Sequence, residues 1–216
     1  MIKMTRVRRF VAGGIAAGIV LAGLSVSGAS ASTQVTLTEE DAAVAAQLGA
    51  SSLTASEQSA LVQEWEAAKD SLEVSIELGS GESDFKEVTL SNGTKLSVGA
   101  EPVANGGDGA VSARALTGDY KIWGSNGFAH MEYYVKFGAS GSYTTVVGNP
   151  WGMVIQTFGT TKSDGKWFTV PRRTENSTAG AWVRGWSRFT YPYNVATLEG
   201  GVEGFVRNNN LVTALF

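Results

Sequence analysis

From Trp182 to Arg188 the chain alternates aromatic and cationic side chains: Trp182, Arg184, Trp186 and Arg188, with Val183, Gly185 and Ser187 between them. Extended backbone sends successive side chains to opposite faces, so a strand here puts both indoles and both guanidiniums on one face. A cation over an aromatic ring contributes about 0.5–1 kcal/mol when exposed and more when desolvated. Arginine also stacks flat and binds carboxylate or phosphate through paired hydrogen bonds. Two uses compete. As structure, the ladder stiffens its strand and covers the sheet while staying soluble. As a site, the indoles stack on sugar rings or apolar groups while the arginines hold anionic ones, and Trp and Arg are both enriched at binding hot spots. Tyr191, Pro192 and Tyr193 follow as a rigid aromatic turn, and Arg172 and Arg173 come after Pro171 in the preceding loop. The candidate binding set is Trp182, Arg184, Trp186, Arg188, Tyr191 and Tyr193. A bulge at Gly185 would send the second Trp–Arg pair to the opposite face.

Other chemistry is poorly supplied. The chain has no cysteine and one histidine, which removes disulfides, thiolate nucleophiles and any metal site needing two histidines. His130 is the one candidate base, yet no G-x-S-x-G elbow provides a nucleophile for it; Gly138 to Ser142 lacks the last glycine. A lone histidine without a motif reads as a surface residue of its strand, beside Glu132. Asp119, Glu132, Asp164, Glu175, Glu199 and Glu203 could furnish the carboxylate pair of a glycosidase, but no spacing selects two of them. No calcium loop is present. Gly-rich patches at 106–109 and 200–204 lack the context of a phosphate loop and read as turns. No cofactor and no metal is expected.

The N-terminus sets the compartment. Lys3, Arg6, Arg8 and Arg9 precede an uncharged apolar run from Phe10 to Val26, and Ala29, Ser30 and Ala31 place small residues where a signal peptidase reads them. This is the layout of a cleaved secretory leader over 1–31; a retained anchor is the rival, with a run near the short limit for a membrane span. Arg8 and Arg9 keep a twin-arginine route open. The leader is similar in style to those of Gram-positive bacteria, actinobacteria in particular. The chain is therefore expected to be secreted, with no stable membrane insertion after cleavage.

Without the leader, 13 basic residues face 20 acidic ones, a net charge of −7. Most of the excess lies in 32–101, which holds 13 acids and three lysines, whereas 102–216 carries a charge of +3 and 18 of the 21 aromatic residues. A basic excess so small argues against nucleic acid as a partner. The shift also divides the chain: an acidic helical segment with a β-hairpin over 32–98, a Gly-rich flexible linker over 99–118, and an aromatic-rich domain over 119–216.

Thr38 with Asp41, and Thr54 with Glu57, fit a capping hydroxyl followed three residues on by a carboxylate, the second with the usual Glu. Leu61, Trp65, Ala68 and Leu72 then recur on one helical stripe that must bury, most simply against the helix around Val44 and Leu48. Val74 and Ile76 alternate as a strand. Val88, Leu90, Leu96 and Val98 flank Asn92 and Gly93, which predicts a hairpin over 84–98 with a tight turn of positive φ. Beyond 119, eight apolar-alternating runs are expected as strands: 120–123, 128–137, 143–147, 151–158, 166–170, 181–190, 202–207 and 211–215. In 128–137, Ala129, Met131, Tyr133, Val135 and Phe137 form the inward set. The expected fold is mainly β: a C-terminal antiparallel β-sandwich (or small barrel) preceded by a short helical segment and a β-hairpin, behind a signal peptide.

The leading expectation is a secreted, non-enzymatic protein whose aromatic and arginine face contacts cell-wall polymer or host glycans. A secreted antimicrobial or toxin-like protein, freed by cleavage in the linker near Arg114, is the first alternative. An extracellular hydrolase is the second.

Overall fold

A computed structural model describes residues 35–103, 118–159, 161–190 and 197–216. The expected leader, linker residues 104–117 and the expected site residues Tyr191 and Tyr193 lie outside the described residues.

Two helices open the described chain, α1 over Glu39–Gln47 and α2 over Ala55–Ser71. Their caps follow the sequence pattern. The Thr38 hydroxyl accepts from the Asp41 amide, and Thr54 forms a complete box in which the Glu57 carboxylate also takes the Thr54 amide. That hydrogen bonding holds the Glu57 carboxyl below its ordinary pKa. The stripe of Leu61, Trp65, Ala68 and Leu72 is buried. It meets more than α1: the Trp65 indole donates to the Asn126 carbonyl at 2.8 Å and its ring packs on Phe128 at 5.8 Å. The helices thereby cover the turn between two strands of the β-structure.

Among the described residues eleven strands follow: β1 Glu73–Glu77, β2 Asp84–Thr89, β3 Lys95–Pro102, β4 Gly118–Ser125, β5 Ala129–Ser140, β6 Tyr143–Thr157, β7 Lys162–Ser163, β8 Trp167–Arg172, β9 Ala181–Thr190, β10 Thr197–Arg207 and β11 Asn210–Leu215. They form two antiparallel sheets. Sheet I has the order β1-β11-β10-β9-β7, with β8 also pairing β9, and sheet II has the order β2-β3-β4-β5-β6. The sheets stack as a sandwich. Ile122 and Tyr133 of sheet II pack directly on Gly204 and Gly185 of sheet I. The alternation of β5 gives the core its centre, with Ala129, Met131, Tyr133, Val135 and Phe137 all buried.

Several expectations need correction, among them the turn expected at 200–204, which lies within β10. Residues 32–98 and 119–216 are not separate pieces, because β1 pairs with β11 and β3 pairs with β4. Residues 99–102, expected within the linker, continue β3, and Gly118 begins β4. The shift in charge belongs to outward side chains. The inward ones, Val74, Ile76, Leu96, Val98 and Ala100, join the same apolar core as the aromatic half.

The runs 143–147 and 151–158 are one strand, β6, and the break expected at Gly148, Asn149 and Pro150 is an irregularity in its pairing with β5. A bulge adds residues without ending the ladder, and local composition cannot distinguish it from a turn. Finally, Gly93 has a φ of 86° but Asn92 does not have a positive φ. The Gly93 amide bonds the Leu90 carbonyl, which closes a four-residue turn ending in a left-handed glycine. The two-residue turn with both φ positive occurs instead at Asn208 and Asn209, between β10 and β11.

Candidate functional site

β9 lies inside sheet I, with β10 on one side and β7 and β8 on the other. Its register with β10 runs unbroken from Thr190 opposite Thr197 to Ala181 opposite Val206. There is thus no bulge at Gly185. Val183, Ser187 and Phe189 are buried on the inner side, and Trp182, Arg184, Trp186 and Arg188 project from the outer face.

The structure brings these four side chains together with five outside the candidate binding set, of which Glu199 and Glu203 were candidate carboxylates. Arg184 stacks between two rings, its guanidinium carbon 4.4 Å from the Trp182 centroid and 4.3 Å from that of Phe216. Its Nε donates to the Glu203 carboxylate at 2.9 Å, and the same oxygen accepts from the Trp182 indole at 3.1 Å. One strand along, Trp186 stacks on Trp167 of β8 with centroids 4.8 Å apart, and its indole donates to the Thr169 hydroxyl at 3.0 Å. Arg188 pairs with Glu199 at 3.1 Å and lies 5.8 Å from the Trp167 ring.

The two arginines are therefore unequal. The Glu203 side chain is only 14 % exposed and that of Arg184 33 %, so this pair is shielded and held on both faces by rings. Arg188 and Glu199 are 54 % and 56 % exposed, where an ion pair contributes about 0–1 kcal/mol. Such a pair opens at little cost. Chemically, the Trp182 end of the ladder is a satisfied structural cluster. The Trp186 end offers two stacked indoles beside a loosely held guanidinium and carboxylate.

Trp167 and Thr169 alternate on β8, a local hint of an outward aromatic. Pairing that indole with Trp186 requires the register between β8 and β9, which no local pattern carries. Arg172 is part of β8 and donates to the Gly180 carbonyl at 3.4 Å. Arg173 points to the β6 irregularity, donating to the carbonyls of Val146 and Gly148 and to the Asn149 side chain. Arg172 stands opposite Trp182 in the register of β8 with β9, whereas Arg173 is turned away from the ladder toward β6.

The remaining candidate residues are dispersed. His130 and Glu132 project from the outer face of sheet II, their side chains 3.7 Å apart. Lys121 joins Glu101 at 2.7 Å and Glu132 at 3.8 Å, and the Glu101 hydrogen bond raises the Lys121 pKa. Glu175 is buried and accepts from the amides of Thr144 and Asn208. Asp164 accepts from the Thr190 hydroxyl. Among the described residues no group of three or more His, Asp or Glu is placed to hold a metal ion.

No protein-family model matches the chain, and no curated protein does. A solved structure, that of a hypothetical protein from Listeria monocytogenes EGD-e, is 15 % identical and overlaps 65 % of this chain and all of that one, with a TM-score of 0.37. A likeness of that size carries no argument about fold or role.

Proposed function

We propose that the protein is exported and works by surface contact, holding cell-wall polymer or host glycan against the outer face of sheet I. The observation that carries this reading is the stack of Trp167 on Trp186 beside the exposed Arg188 and Glu199. Flat indoles take the C–H face of a sugar ring. Arg188 and Glu199 add donors and acceptors for hydroxyl groups at the edge of the stack. Because each guanidinium of the ladder already has a carboxylate of its own chain, the face favours sugars over strongly anionic polymers. The leader sequence supports export, and no helix among the described residues is long and apolar enough to cross a membrane.

The test is retention of the full chain on purified cell walls and on a glycan array. Replacing Trp167 and Trp186 together with alanine is expected to weaken retention at least tenfold while circular dichroism stays native. Unchanged retention overturns the reading. Export is tested separately: the form recovered from culture medium is expected to begin at Ser32.

A further inference from the structure

The outer face of sheet II carries a second surface, with its own floor, wall and charge balance. In the register of the sheet, Glu87, Ser97, Ser125, His130 and Gln156 form one row across all five strands. Small hydroxyls occupy the middle of that row, which leaves a shallow open trough of about 580 Å³ that Phe158 closes at the β6 end. The next row along the strands holds Phe85, Gly99, Trp123, Glu132 and Val154.

The aromatic platform lies in that next row, beside the trough and outside its lining, and it is built into the backbone. A Cβ on Gly99 would lie 2.2 Å from the Trp123 ring, so the indole lies flat over β3 because position 99 has no side chain. Phe85, Trp123 and His130 then follow one another, with centroids 6.2 and 6.1 Å apart. Phe85 is 65 % exposed and Phe158 45 %. Aromatic rings at that exposure beside a hydroxyl floor suit a ligand that is apolar on one side and rich in hydroxyls on its edge.

Charge narrows the ligand further. Glu87 is paired with Lys95 at 2.9 Å, and Glu132 stands 3.8 Å from Lys121 and 3.7 Å from His130. Charges at and beside the trough are thus matched within the chain, and none is left to select an ion. The side-chain donors and acceptors that line the trough besides these are the hydroxyls of Thr94, Ser97 and Ser125, the Gln156 amide and the His130 ring.

We infer that this trough is a binding site for an uncharged oligosaccharide, with a sugar ring on Trp123 and its hydroxyls bonded to Ser97, Ser125 and Gln156. The site is separate from the Trp186 face, being on the other sheet, and stands whether or not that face binds glycan.

The experiment is an NMR titration of the full chain with three hexasaccharides: glucose, N-acetylglucosamine and, as the anionic control, hyaluronan. At least one uncharged hexamer is expected to shift the Ser97, Ser125 and Gln156 amides and the Trp123 indole, with hyaluronan at least tenfold weaker. Trp123→Ala is expected to weaken binding at the trough at least tenfold, as read from the Ser97, Ser125 and Gln156 amides. Ser97→Tyr guards against misfolding of the first variant, because it fills the trough from an outward, half-buried position of β3; it too is expected to abolish these shifts. The inference is overturned if neither uncharged hexamer shifts these signals at millimolar concentration. It is also overturned if hyaluronan binds as tightly, or if folded Ser97→Tyr binds as the parent does.

Discussion

Tyr133 of β5 and Gly185 of β9 meet across the two sheets so closely that a Cβ on Gly185 would lie 2.5 Å from the tyrosine ring. The contact explains the sequence of the ladder. Gly185 separates Arg184 from Trp186 because its inner side has no room for even a methyl group.

Gly185→Ala is therefore expected to destabilise the protein by about 1–3 kcal/mol through overpacking. Urea denaturation measures it. Combining it with Tyr133→Leu, which clears the space, is expected to recover part of the loss. Two additive losses would show that the residues do not interact.

Tyr133 also sets an alkaline limit. Complete burial raises its phenol far above the ordinary tyrosine range, with the Glu203 charge acting in the same direction. A folded-state value above the unfolded one leaves stability intact below pH about 10 and removes it as pH rises beyond. Tyr133→Phe is expected to flatten that decline between pH 9 and 11, at a neutral-pH cost of about 1 kcal/mol, since its hydroxyl reaches the Val202 carbonyl only at 3.4 Å. Some slope remains, because Tyr120, raised by burial, and Lys121 have shifts of the same sign. An unaltered profile in the variant would remove Tyr133 as the cause.

The inequality of the two ladder arginines is measurable. Glu203→Ala strips the shielded Arg184 guanidinium and the Trp182 indole of their shared acceptor, at an expected cost of about 1.5–3 kcal/mol. Glu199→Ala breaks an exposed pair and is expected to cost less than about 1 kcal/mol. Thermal melts of the two variants side by side decide it, and equal losses would contradict the assignment.

Trp65 fixes α2 to the sandwich by a buried hydrogen bond to Asn126. Trp65→Phe keeps most of the ring and leaves that carbonyl without the indole donor, which is expected to cost about 1–3 kcal/mol. Amide exchange in α2 is expected to quicken more than exchange in β5. Uniform acceleration would mean that the helix opens only with the whole protein.

Local rules carried part of this architecture. The caps at Thr38 and Thr54, the α2 stripe and the inward set of β5 are all readable because each depends on residues within a few positions of one another. The ladder from Trp182 to Arg188 is visible for the same reason. What joins it was hidden: Trp167, Glu199, Glu203 and Phe216 reach it only through pairing registers between strands. The trough on sheet II was hidden more deeply. Ser97 and Ser125 are unremarkable in sequence, and they become a floor only when β3 and β4 lie side by side with Trp123 folded over Gly99.

The pairing of β1 with β11 has a consequence for how the molecule comes into being. Residues 73–77 must wait for 210–214 before either edge is satisfied, and contacts so distant along the chain make assembly slow. Until β11 has been made, β1 lacks its neighbour in sheet I, so that edge stays open in the nascent polypeptide.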